Sequence, residues 1–149
     1  MARPKFSVQH FVACLNAAWE GLPGPRTART LEGVHHVYAI PSNAEPPFSF
    51  DDFWLYARLF RTNLAEGVRE FSVRLIWLDA PAGPRHVSTR PLTSVRFSNR
   101  EPIANAAWSY RPALFPGRGQ YEFRLRVRTR KWSRTRHAVV AREFIRIES

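Results

Sequence analysis

Cysteine is almost missing from this chain. Cys14 stands alone among 149 residues, so no intrachain disulfide can form. Lysine is nearly as scarce: of 23 basic residues only Lys5 and Lys131 are lysines, and the other 21 are arginines. No window approaches the ~18 apolar residues of a membrane-spanning helix, so no membrane partner is expected. The opening Met-Ala-Arg-Pro-Lys-Phe-Ser-Val has two basic residues but no apolar core leading to a small-residue cleavage site. A bacterial-type cytoplasm is therefore the expected compartment.

The signatures of chemistry are missing too. The histidines are His10, His35, His36, His86 and His137. His35 and His36 are adjacent in an expected strand, where neighbouring side chains leave opposite faces, and no other spacing resembles a ligand set. Cys14 sits in the apolar run Phe11-Val-Ala-Cys-Leu, where burial raises a thiol's pKa and makes it inert. There is no Gly-x-Ser-x-Gly elbow and no glycine-rich phosphate loop. Asp51 and Asp52 are neighbours that diverge, and Asp79 falls in a turn where aspartate is expected for backbone hydrogen bonding. The expectation is no catalytic residue, no metal, no cofactor and no evident small-molecule substrate, hence no enzyme.

What is present is a globular composition, 44% hydrophobic, in one expected domain over residues 1–149. A chain of this length buries roughly 68–70% of its unfolded surface. The clearest local signal is Gln120 to Arg128. Tyr121, Phe123, Leu125 and Val127 alternate with Glu122, Arg124, Arg126 and Arg128. Only a strand sorts that period of two into an apolar and a charged face.

Other strands are expected at Phe6 to Leu15 (a short helix over Ala13 to Trp19 being the alternative), residues 28–40, Phe50 to Arg61 and residues 68–79. Leu92 to Phe97 (the one strand expected within Val87 to Ser98, interrupted upstream by Pro91), Ala106 to Leu114 (which Pro112 would push toward a sheet edge) and Ala138 to Ile147 complete the set, the last pairing antiparallel with 120–128. The clusters at Gly21 to Pro25, Pro41 to Pro47, Asp79 to Pro84 and Phe115 to Gly119 punctuate them. About seven to eight short strands with no alternating helices point to an all-β protein, an antiparallel two-sheet sandwich, with a β-barrel as the alternative.

Several stretches carry a resemblance: Leu31-Glu32-Gly33-Val34, the aromatic segment Phe53 to Phe60, the turn Asn63 to Gly67 and Gly119-Gln120-Tyr121-Glu122-Phe123. Together they resemble a family of uncharacterised bacterial β-sandwich proteins of ~130–150 residues. The resemblance implies the fold and no activity or site residues, and the arginines near the carboxyl end are not among its expected features.

Those arginines are unevenly placed. Residues 1–84 hold eight basic and eight acidic residues, whereas 85–149 hold fifteen against four, so the whole +11 lies in the second stretch. A G+C-rich genome explains arginine in place of lysine, but not why one part of the chain carries all the excess. Arg124, Arg126 and Arg128 should stand ~6–7 Å apart on one strand face, close to the pitch of successive phosphates. Arg142 and Arg146 would extend the row, and Arg130, Lys131, Arg134 and Arg136 would crown one end, with Trp132 available for stacking. The competing reading is a plain solvated face with local ion pairs to Glu122 and Glu143.

A second candidate surface is Trp54, Tyr56, Arg58 and Phe60, the far face of the strand whose core side is Phe53, Leu55, Ala57 and Leu59. Aromatics beside arginine are the composition of interface hot spots. The alternative is that another segment of the chain covers them. Together these features predict a non-catalytic adaptor acting through protein contacts, self-association included, with a basic surface for an acidic partner. Nucleic-acid binding through residues 124–128 and 129–137 is the alternative function.

Overall fold

The structure, a computed structural model, describes residues 3–19, 28–32, 36–50, 53–98, 100–110, 113–131 and 134–149. Among the described residues there is no helix. The strands are β1 (Phe6–Cys14), β2 (Asn16–Trp19), β3 (Ala28–Glu32), β4 (Val37–Ala39), β5 (Phe48–Phe50), β6 (Phe53–Arg61), β7 (Gly67–Trp77), β8 (Arg85–Thr89), β9 (Thr93–Phe97), β10 (Ile103–Tyr110), β11 (Ala113–Phe115), β12 (Gly119–Lys131) and β13 (Arg134–Glu148). Asp51, Asp52, His35, Trp132, Pro112 and the Gly21–Pro25 cluster, all singled out in the sequence, lie outside the described residues.

Two sheets form the layers of a sandwich, and neither closes into a barrel. The smaller has the order β1-β6-β10, with β6 antiparallel to both neighbours. The larger runs β4-β13-β12-β7-β8, with β9 completing the edge beside β7. Its central pairing is the expected one: β12 lies antiparallel to β13 from Gly119↔Ile147 to Lys131↔Arg134, and on its other side to β7. Short pairs β5-β11 and β2-β3 lie outside these layers.

The alternation of β12 sets the core. Tyr121, Phe123, Leu125 and Val127 are buried, and Phe123 stacks across the layers on Phe53 at 5.6 Å. At the other end Phe6 of β1 meets Phe71 and Phe97 of the larger sheet at 5.1 and 5.7 Å. Aromatic pairs at these separations add to the area they bury. Phe53, Leu55, Ala57 and Leu59 are wholly buried, as their spacing requires.

β12 is entered through a tyrosine corner, a hallmark of Greek-key sandwiches. The Tyr121 hydroxyl donates to the Gly117 carbonyl at 2.6 Å and accepts the Gly117 N–H at 3.1 Å. Glycine is needed at two positions here. A Cβ on Gly117 would lie 2.6 Å from the Trp77 ring, and Gly119 has φ +138 with the Asp79 carboxylate where a Cβ would project. That carboxylate accepts from Gln120 N at 2.8 Å and Trp77 Nε1 at 3.1 Å.

Three sequence expectations change. The stretch Val87 to Ser98 holds two strands, because Pro91 has no N–H to give the ladder. β8 pairs with Arg74–Trp77 and β9 with Gly67–Phe71, while Arg90 N bridges to Val73 O at 2.8 Å. Residues 28–40 contain two strands in different sheets, β3 with β2 and β4 parallel to β13. Ala106 to Leu114 likewise divides into β10 and β11. The first segment is strand throughout 6–14, without the alternative helix.

Candidate polyanion-binding face

The outer surface of the larger sheet is built from the polar positions of its strands. On β12, Arg124, Arg126, Arg128 and Arg130 follow one another at every second position, a pitch of about 6.8 Å. Across the sheet the pairing sets Arg124 opposite Arg142 of β13 and opposite Arg74 of β7. Three arginines thus stand abreast on adjacent strands about 4.8 Å apart. Like charges directly opposite one another destabilise a sheet unless something neutralises them.

Among the described residues that neutralisation is partial. Glu122 is 3% exposed and is shared: Arg124 Nε pairs with its Oε1, and Arg142 Nη1 reaches the same oxygen at 3.4 Å. Arg128 pairs with Glu70 at 3.3 Å and Arg146 with Glu148 at 3.2 Å. Arg74 Nε is buried with no hydrogen-bond partner among the described residues. Burial, and then the neighbouring Arg74, pull the pKa of Arg126 below its ordinary value. His137 opposite Arg128 is likewise pushed down, by desolvation first and then by Arg126 and Arg128.

The expected row of Arg124, Arg126 and Arg128 runs along β12, with Arg142 across from Arg124 and Arg146 across from Gln120, and Arg130, expected at the crowning end, continues the same parity. At the hairpin end the main chain pairs Lys131 with Arg134 and Thr129 with Arg136, so Arg134 and Arg136 take the opposite parity from Arg130. Arg130, Arg134 and Arg136 are all exposed. The register slips between Leu125 and Arg126, making Val140 an extra residue on β13, and both Val140 and Ala141 touch the core.

Two members of the face went unselected in the sequence reading. Arg74 lies in a strand whose charge pattern is irregular, and only the pairing with Arg124 gives it meaning. Phe144 is 50% exposed on the outer side of β13 between Arg142 and Arg146. Its position in the alternation of β13 was the available signal. Of the two expected ion-pair acceptors, Glu122 serves the arginines but Glu143 does not. Glu143 faces inward, where its carboxylate accepts Ala13 N of β1 and Phe144 N at 3.1 Å each and lies 3.4 Å from His36 Nδ1. Burial raises its pKa above the usual carboxylate value.

The aromatic row on β6 is not an open surface. Tyr56 is 5% exposed, with its hydroxyl on Asn105 of β10, and Trp54 and Arg58 are half-buried. Phe60 alone of the four is exposed. β6 is the central strand of its sheet, flanked by β1 and β10, and β2 comes near it. Among the described residues no group of three or more His, Cys, Asp or Glu side chains could hold a metal ion, and no helix is long and apolar enough to cross a membrane.

No protein-family model matches the chain, and no curated protein sequence does. Among solved structures it is similar to the β-glucosidase of Listeria innocua, determined with and without isofagomine, at TM-score 0.50 and 9% identity over 98% of this chain and 16% of that one. A GH3 β-glucosidase of Bifidobacterium adolescentis superposes at TM-score 0.48 and 10% identity, over 96% and 18% of the two chains. The chain thus spans 16% of the length of the Listeria enzyme, a likeness of fold alone.

Proposed function

We propose that the protein is a non-catalytic binding module whose outer sheet face docks a polyanion, and that single-stranded nucleic acid suits that face best. One observation carries the reading: a row of four arginines at strand pitch, only partly neutralised by carboxylates among the described residues, beside the exposed ring of Phe144. Guanidinium forks suit phosphate oxygens, and an aromatic ring gives a base a surface for stacking. The protein-contact reading through β6 loses its support because Tyr56 is buried.

The test is anisotropy of a labelled, mixed-sequence oligonucleotide at 50 and 200 mM salt. If the four arginines of β12 each meet a phosphate, counterion release predicts a slope of about −3 and a roughly 50-fold weakening across that range. Phe144→Ala should weaken binding about tenfold at either salt concentration. Absence of binding at 50 mM, or affinity indifferent to salt, would end the nucleic-acid reading. An acidic protein surface is the second reading, favoured by Val37 and Val139, which are exposed at the margin of the same arginines. It predicts a shallow salt slope for the oligonucleotide together with tighter binding to a poly-glutamate peptide.

A further inference from the structure

The cationic face ends in a cleft. Arg3, Val68, Arg69, Glu70, Arg128 and Arg130 line a cavity of about 430 Å³ near the hairpin end of β12. β7 supplies Val68 to Glu70, β12 supplies the last two arginines, and the segment ahead of β1 supplies Arg3. That segment is anchored. Asn63 accepts from Lys5 N and donates to Arg3 O, both at 3.0 Å, and Arg69 Nη1 donates to Pro4 O at 2.7 Å. The Arg69 guanidinium also lies 5.4 Å from the centre of the Phe6 ring. Burial, with Arg3 nearby, draws its pKa down.

Four arginines line this cleft against one glutamate, Glu70, which Arg128 already engages at 3.3 Å, and Arg69 turns its guanidinium toward Pro4 O and the Phe6 ring. The formal surplus is three positive charges. We infer that the cleft is a binding site for a phosphate monoester carried on a small organic group. A single carboxylate would leave most of the surplus uncompensated, whereas a phosphomonoester brings about −1.5 to −2 near pH 7. Arginine forks also fit its oxygens in pairs. The cavity falls within the roughly 300–1,000 Å³ typical of small-ligand sites, so it has room for a carrier as well as the phosphate. Val68, 43% exposed, offers that carrier an apolar wall. The occupant is a small molecule, so the inference does not rest on the docking of a long polyanion over the rest of the face.

The test is amide NMR of the full chain titrated at low salt with inorganic phosphate, phenyl phosphate or, at matched ionic strength, acetate. Saturable shifts are expected at residues 68–70 and 128–130, with phosphate at least about tenfold tighter than acetate and phenyl phosphate tighter than inorganic phosphate. Arg130→Ala and Arg3→Ala should each weaken phosphate about tenfold, while Arg142→Ala, on the same face outside the cleft, should change it less than about twofold. Shifts that drift without saturating, acetate equal to phosphate, or equal weakening by Arg142→Ala would show general charge screening and overturn the site. Phenyl phosphate no tighter than inorganic phosphate would overturn the organic carrier. Failure of oligonucleotide binding would leave these expectations unchanged.

Discussion

Replacing Tyr121 with phenylalanine tests the packing that holds β12 in place. The substitution keeps the ring, which is wholly buried, stacked on Trp77 at 5.9 Å and edge-on to Phe115 at 5.0 Å. It removes only the hydroxyl, and with it both hydrogen bonds to the buried Gly117. A buried polar group left without its partner costs about 1–3 kcal/mol. With one N–H and one carbonyl stranded in a turn, the expected loss is about 2–4 kcal/mol. For a domain of this size that is a fall in Tm of roughly 5–12 °C. Urea unfolding followed by tryptophan fluorescence reads it as a lower midpoint at unchanged m-value. The hydroxyl adds a second limb, because its pKa is pushed up to about 12, chiefly by burial. A folded value above the unfolded value of 10.0 means its stabilisation is complete below that pH and is lost as pH rises toward about 12. The variant should therefore lose less stability than the native chain over that interval. A loss under about 0.5 kcal/mol at neutral pH, with identical alkaline profiles, would refute the corner as an anchor.

Two further expectations rest on the facing of β12 and β13. Phe123→Ala, which opens a cavity beside Phe53 and Tyr110, should cost about 3–5 kcal/mol, whereas Arg126→Ala on the outer face should change stability by less than about 0.5 kcal/mol. Comparable losses in thermal melts would contradict that facing. Glu143 has a folded pKa above its ordinary 4.5 because it is buried, so its protonated form favours the fold and that contribution is lost as pH rises through the raised value. Glu143→Gln should remove this dependence, so that the variant gains on the native chain as pH rises above the ordinary value of 4.5; a difference moving the other way in Tm measurements would show that the carboxylate is needed in its charged form.

Legibility followed how local each signal was. The faces of β12 and of the inner half of β6 were readable because a strand's period of two is carried by consecutive residues. The pairing of β12 with β13 was readable because they are consecutive in the chain with only two residues between them. The division of Val87 to Ser98 was half-legible: Pro91 marked a break, but two strands sharing the edge of β7 follow from the register. The covered state of Tyr56 was open between two readings, since two apolar faces require a cover without saying which segment supplies it. The tyrosine corner was present in Pro116-Gly117-Arg118-Gly119-Gln120-Tyr121 but read only as a turn.

The arginine row and its outward aspect are properties of the sequence alone, because alternate residues of one strand share a face whatever the strand pairs with. That Arg74 and Arg142 stand abreast of Arg124, and that Arg3 and Arg69 meet Arg128 and Arg130 around one cleft, belongs to the tertiary structure. Arg3, Arg69 and Arg74 are dozens of positions from the arginines of β12, and only the pairing of β7 with β12 and the anchoring of the amino-terminal segment concentrate their charge in one place. Charge count is additive along a sequence, whereas charge density requires the distances that folding sets.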